Sequence, residues 1–539
     1  MTDLRAPTLE RESQELPSGP AVPAGQVRYS DLRARLIGLR AHDRLWGWVG
    51  PLVVTLIGGF IRFWHLDRPG KLVFDETYYV KQAASLLKVG YELAFRDLKN
   101  PTTDERFAGG STDVFGTTAD FVVHPPVGKW MIAVGERLFG TTNPWGWRFS
   151  AALCGTLAIF MLARIGRRLF GSTLLGCTAG LLLAIDGQAV VHSRTGLLDV
   201  FVMFWALAAF GCLVNDRFQA RDRLAGRVAA GASVDLFGPG LGFRWWRIAA
   251  GLCLGLTCGV KWSGAFFLLV FGLMTVLWDV GARRTVGTRG WLGVGLLRDG
   301  LSAFVQIVPI AVLTYLASWT GWLMSSGGYM RQWAVQHPSS SWVPGALRSL
   351  WAYHAAIYSF HINLESPHAY MANPWSWLLL GRPTAFWYQG KAEGIAGCGT
   401  SDCAQAVLPL GNPVIWWGGT IAVVVCVGAW LLMRDWRAGA ILAGLAAGYL
   451  PWFNYQQRTI FAFYAIAFVP FLVLALTYVL GLGLGPPEAP ADRRTVGAVL
   501  TGVVVVLAVA SFIWFYPIYV GEVIPRLDWS DRMWLPSWI

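Results

Sequence analysis

Charge is scarce in this chain: Asp, Glu, Lys and Arg make up 14% of its 539 residues, against roughly 25% in an ordinary soluble domain. So few charges cannot coat a water-soluble fold of this length. Lysine is scarcer still, with only Lys71, Lys81, Lys88, Lys99, Lys129, Lys261 and Lys391. No Gly-rich P-loop and no serine-hydrolase elbow is present, which removes the commonest phosphate-cradle and acyl-transfer readings. No tight metal-ligand spacing occurs either, because His354, His361 and His368 stand seven apart, so no metal and no cofactor is expected. Residues 1–45 lack the apolar core of a cleavable signal and read as a disordered inner tail. No internal repeat is visible, which counts against a transporter built from inverted halves. Of the eight Cys, Cys154, Cys177, Cys212, Cys253, Cys258 and Cys426 lie in apolar runs and act as small hydrophobes. Only Cys398 and Cys403 share a polar loop, CGTSDC, where a local disulfide fits an oxidising compartment.

What the chain does have is apolar length: 55% of it is hydrophobic, with 29 Trp, a residue favoured at membrane boundaries. A bilayer core of about 30 Å takes roughly 20 apolar residues per helix. Candidate spans run near 46–64, 147–163, 171–185, 196–214, 247–260, 262–279, 301–320, 413–433, 438–451, 459–479 and 496–516. The predicted fold is therefore an all-α polytopic membrane protein with about eleven spans. The formal charge of +12 suggests nucleic acid at first sight, but the basic residues sort by loop. Arg164, Arg167 and Arg168 mark one inner turn; Arg217, Arg221, Arg223 and Arg227 a second; Arg283, Arg284, Arg289 and Arg298 a third; Arg434 and Arg437 a fourth; Arg493 and Arg494 a fifth. The rule that cytoplasmic loops collect Lys and Arg then predicts an inner N-terminus, an outer C-terminus (517–539) and two large outer loops, 65–148 and 321–412. The first holds ten basic and ten acidic residues. Within it Val127, Trp130, Met131, Val134 and Leu138 recur at helical spacing, with Lys129 and Glu136 opposite, as in a helix lying in the interface.

Candidate chemistry lies at the outer edge. In LVFDETYYVKQ, Asp75 can cap the helix that begins at Glu76 or serve as a general base toward a lipid-borne substrate. His124 and Lys129, in FVVHPPVGKW, can line a polar site or simply begin a helix. Arg148 can snorkel or bind a lipid phosphate through its fork of donors. Arg194 and Arg458 are further edge cations and, with Lys129, further candidate ligands of a donor phosphate; Asp199, slightly inside its span, needs a partner, for which Arg194 is the candidate. His361, His368 and Tyr370 of the second loop suit a polar, aromatic acceptor surface.

FDETYY, HPPVGKW, the Arg148 segment, SRTGLLD, HAYMANPWSW, GNPVIWW and RTIFAFYAIAFVP, in this order between about residues 46 and 479, resemble the protein O-mannosyltransferases of glycosyltransferase family 39, with the GT-C fold. The resemblance implies a catalytic unit over 46–516, with Asp75 as base, Glu76 as its essential neighbour and Arg148 on the donor phosphate. It implies transfer from polyprenyl phosphate mannose to Ser/Thr hydroxyls of exported polypeptides, with the export machinery as a possible partner and the bacterial plasma membrane as the location. The second loop has no room for the trefoil-like insert of eukaryotic members, and the chain resembles the actinobacterial form. A GT-C transferase with a glycolipid acceptor, or a lipid or solute transporter, is the alternative.

Overall fold

The computed structural model describes residues 28–38, 41, 43–486 and 488–539. The expected inner tail, 1–45, lies largely outside the described residues, and its described part corrects the expectation of disorder there. Helix α1 (Tyr29–Ile37) buries Leu32, Leu36 and Ile37, while Arg33 pairs with Asp222 at 2.9 Å and Arg221 donates to the Leu36 carbonyl. An apolar triplet at i, i+4, i+5 gives even this polar segment one face to dock.

The remaining long helices are α2 (Trp46–Phe63), α3 (Glu76–Val89), α4 (Val127–Phe139), α5 (Pro144–Phe170), α6 (Thr173–Ala184), α7 (Asp199–Ala229), α8 (Trp245–Val260), α9 (Gly264–Thr285), α10 (Gly300–Ser318), α11 (Gly345–Ile362), α12 (Pro413–Met433), α13 (Trp436–Tyr449), α14 (Val469–Leu484) and α15 (Ala491–Val520). A helix stands in each of the eleven expected segments. Seven helical stretches among the described residues are long and apolar enough to cross a membrane: α2, α5, α7, α9, Trp291–Ser318, α12 and α15. The segment 459–479 departs most from expectation. It is extended and then 3-10 helical (Ala462–Ala467) before α14 begins at Val469, next to Pro470. Such backbone is tolerated at membrane depth only where protein surrounds it, and Phe463, Ala465 and Ile466 are buried.

Small residues bring helices close. A Cβ on Gly176 would stand 2.5 Å from the Ala163 carbonyl, and one on Gly255 2.5 Å from that of Ala311, so α5 meets α6 and α8 meets α10 nearly backbone to backbone. Two spans start alike: the Asn143 side chain accepts from Trp145 N ahead of Pro144, and that of Asn412 from Val414 N ahead of Pro413. Each pairs an Asn cap with a proline whose missing N–H costs nothing at that position.

The two ends of the bundle differ. At one end, β1 (Leu93–Phe95) pairs with β2 (Phe115–Ala119), and β3 (Trp387–Gln389), β4 (Cys403–Val407) and β5 (Val523–Pro525) form an antiparallel sheet in that order. The C-terminal tail closes this end: Trp538 is buried and donates to the Leu380 carbonyl at 2.7 Å. Cys398 and Cys403 are disulfide-bonded beside β4. At the other end arginines are engaged in buried pairs, among them Arg283, expected merely to mark an inner loop. Arg244 donates to Asp216 (2.8 Å) and Asp279 (2.6 Å), Arg247 to Asp279 and Arg283 to Asp299.

Helix α4 reverses the usual amphipathic sense. Lys129 and Glu136 are buried, whereas Val134 and Leu138 are 55% and 62% exposed. In a lipid setting the apolar face belongs outside and the charges inside.

Removing one member of a buried ionic group leaves a charge unpaired, at about 3–5 kcal/mol. Arg244→Met, which leaves Asp216 and Asp279 with Arg247 alone, is expected to reduce folded protein sharply, measured as monodisperse yield and melting temperature after detergent extraction. Wild-type values for both would show the network to be dispensable.

Candidate active site

Asp75 and Glu76 are adjacent in sequence and opposite in fate. Helix α3 begins at Glu76, but the Asp75 backbone is already helical (φ −68°, ψ −5°) and its side chain makes no capping bond, which corrects the cap reading. Its carboxylate instead accepts from the Tyr79 hydroxyl, one turn on, at 3.4 Å. Phe74, just before it, has φ +48°, a left-handed conformation costly for a bulky residue. Stacking on Phe386 at 4.8 Å and an edge contact with Phe463 at 5.4 Å hold it there.

Glu76 is fully buried. One carboxylate oxygen accepts from Arg148 Nε (2.9 Å) and Gly196 N (2.7 Å), the other from Arg148 Nη2 (2.9 Å) and Val73 N (2.9 Å). Arg148 is equally buried, and its remaining donors go to the carbonyls of Leu66, Pro69 and Lys71. A guanidinium has five N–H donors, so none is left for a phosphate. The side chain expected on the phosphate is thus fully engaged within the protein, as is that of Glu76.

Two other expected phosphate ligands are also occupied. Lys129 is buried against Glu92 and donates to the His124 carbonyl. Arg194 donates to the carbonyls of Ile61, Arg62, Trp64 and His65, closing the C-terminal end of α2 as a side-chain cap. It is therefore not the partner of Asp199; Lys261 is, at 2.8 Å.

Arg458 is different. It lines a cavity of about 200 Å³ together with His124, His361, Asp199, Lys261 and Tyr464; its buried Nε, like that of Arg194, has no partner among the described residues. His361 donates from Nε2 to the Val123 carbonyl (2.9 Å) and stacks 5.4 Å from His124. Burial first, and then neighbouring cations, hold both imidazoles below their ordinary pKa, so at neutral pH they are uncharged hydrogen-bonding groups. Asp75 does not line this cavity; its partner Tyr79 has its ring 6.0 Å from His124, which does. Burial raises the Asp75 pKa to about 6; Lys261 opposes the rise and Asp199 adds to it. His368 and Tyr370 do not line the cavity: His368 is exposed with its ring edge-on to Phe461, and Tyr370 lies under Arg382 in a separate pocket. The cavity-lining cation overlooked in the sequence as a site candidate is Lys261, legible there as a rare lysine at the turn between two short apolar segments.

Residues 52–325 match the family model described as dolichyl-phosphate-mannose-protein mannosyltransferase, and residues 346–538 match that of the C-terminal four TMM region of protein-O-mannosyltransferase. A Mycolicibacterium smegmatis (strain MKD8) protein named polyprenol-phosphate-mannose--protein mannosyltransferase is 39% identical over 559 residues, covering 99% of both chains. A protein of the same name from Mycobacterium tuberculosis (strain H37Rv) is 39% identical over 511 residues, covering 92% of each. The Saccharomyces cerevisiae protein O-mannosyltransferase Pmt1-Pmt2 complex bound to the sugar donor superposes with a TM-score of 0.70 over 95% of this chain and 94% of the yeast chain, at 14% identity, and so shares its fold. With two family regions in register along the chain and relatives matched over nearly their full length, this protein belongs to the protein O-mannosyltransferase family of glycosyltransferases.

Proposed function

We propose that this chain transfers mannose from polyprenyl phosphate mannose to Ser and Thr hydroxyls of exported proteins, with Asp75 as general base. The observation that carries the base assignment is the uncapped Asp75 carboxylate, linked through Tyr79 to a cavity that gathers two cations. The donor and a protein acceptor follow the names of the relatives; Ser and Thr hydroxyls of exported chains are the finer reading, from the motif resemblance. As the hydroxyl oxygen bonds to the sugar C1, the bond from C1 to the phosphate oxygen breaks and the phosphate leaves with the electron pair. The hydroxyl proton passes to Asp75. Back-side attack turns a β-linked donor into an α-mannoside. Arg458 and Lys261 balance the charge on the departing phosphate, a role first expected of Arg148. A phosphate is already a good leaving group, so the scheme uses no metal and no cofactor.

The sidedness proposed is an active site facing away from the cytoplasm. Both expected outer loops and the C-terminal tail meet at the Asp75 end, while the arginine clusters gather at the other, as the positive-inside rule requires. Seven long apolar helices and three shorter ones, with α13 counted as a further short span, make eleven, which fits an inner N-terminus and an outer C-terminus.

Asp75→Asn is expected to lower transfer from a lipid phosphate mannose to a Ser/Thr peptide by about 10²–10⁴-fold with expression retained; full activity would remove Asp75 from the mechanism. Because the base must be deprotonated, wild-type kcat/KM is expected to fall as pH drops through about 6. Asp199→Asn removes a negative neighbour and frees Lys261, both of which lower the Asp75 pKa, so its acid limb should move to lower pH; an unmoved limb would assign that ionisation elsewhere. Kinetic constants separate the arginines. Arg458→Gln is expected to raise donor KM about tenfold or more, whereas Arg148→Lys, unable to supply five donors, should lower kcat and melting temperature with donor KM little changed. The reverse pattern would restore Arg148 to the phosphate.

A further inference from the structure

At the end of the bundle remote from Asp75 lies a second cavity, of about 520 Å³, walled by Trp48, Phe160, Trp246 and three arginines of α5, Arg164, Arg167 and Arg168. Arg148 and Arg164 share α5, which sets the two sites about 24 Å apart at 1.5 Å per residue. We propose that this cavity binds the phosphate headgroup of an anionic membrane lipid, a site independent of the sugar-transfer reaction.

The three guanidiniums fall at i, i+3 and i+4 and share one helix face. Among the described residues no carboxylate lines the cavity; the nearby Asp43 is bonded to Arg167 at 3.0 Å. Arginines in the last turn of a helix also answer its dipole, which accounts for Arg167 and Arg168. Arg164 lies well before that turn and needs another reason. Its guanidinium stacks 3.9 Å over the Trp48 ring and Nη1 donates to the Gly47 carbonyl. Its Nε and Nη2 have no hydrogen-bond partner among the described residues. A planar fork held flat on an indole with donors to spare matches a phosphate oxygen pair.

A lipid fits better than soluble phosphate because the cavity opens onto an apolar track. From Trp48, the residues Leu52, Leu56 and Phe60 follow at every fourth position of α2, exposed by 48–72%. Acyl chains can lie along this stripe while the headgroup reaches the arginines, the arrangement seen generally where basic pockets between spans hold acidic lipids.

The test uses the full chain in detergent, with phosphatidylglycerol, phosphatidylcholine and inorganic phosphate as probes, read by native mass spectrometry and melting temperature. The wild type should retain and be stabilised by phosphatidylglycerol, and not by phosphatidylcholine or millimolar phosphate. Arg164→Gln/Arg168→Gln should weaken apparent phosphatidylglycerol affinity about thirtyfold. Should the pair fail to fold, Arg168→Gln alone, at an exposed position, should weaken it severalfold. Undiminished retention in the folded variants, or equal retention of phosphatidylcholine, would overturn the site. Competition by inorganic phosphate would overturn the lipid assignment in favour of a soluble anion.

Discussion

The buried pair of Glu76 with Arg148 is the contact on which the rest of the active end depends. Two charges removed from water repay their desolvation only when every donor and acceptor is met, and here all four Glu76 contacts and all five Arg148 donors are used. In doing so they join pieces far apart in sequence: the turn from Leu66 to Val73, the start of α5, and the peptide at Gly196 ahead of α7. The stretch leading into α3 has no freedom left, and the left-handed Phe74 can be held at its cost. Asp75 is then left uncapped against Tyr79 as a consequence of its neighbour being locked away.

This division explains what was legible in the amino-acid sequence. The helical segments were, because apolar runs of span length announce themselves, and so was the start of a helix at Glu76. The assignment of cations was not. An arginine at a membrane edge offers the same donors to a phosphate and to a peptide carbonyl, and nothing in Arg148, Arg194 or Lys129 distinguishes the two. Only the folded chain reveals that Arg194 meets the exposed carbonyls of α2 and that Asp199 chooses Lys261, from a helix junction more than sixty residues away. The irregular stretch after Arg458 was hidden for a related reason: its composition is that of a span, and only packing around Phe463 and Ile466 lets it leave the helix.

Helix α4 teaches the membrane version of amphipathicity. Its pattern reads as an interfacial helix, but Lys129 and Glu136 turn inward, and Val134 and Leu138 face out. Lys129 thereby fastens Glu92 and the backbone of His124 together, setting one wall of the cavity from a residue that does not enter it. Positioning by buried charge thus recurs at both flanks of the site, in Arg148 and in Lys129.

The sheet at the active end has an implication for biogenesis. Its central strand, β4, needs β5 on one side, and β5 follows α15, the last of the long apolar helices. During synthesis the earlier spans can insert and pack while β4 waits for a partner more than one hundred residues downstream. Ordering of that surface, including the clasp of Trp538 beneath Leu380, is therefore a late event of maturation. A ribosome stalled or a chain cut within α15 would leave a membrane-embedded bundle with an unfinished lid, and a cell that clears such intermediates would sense their uncovered strand edge.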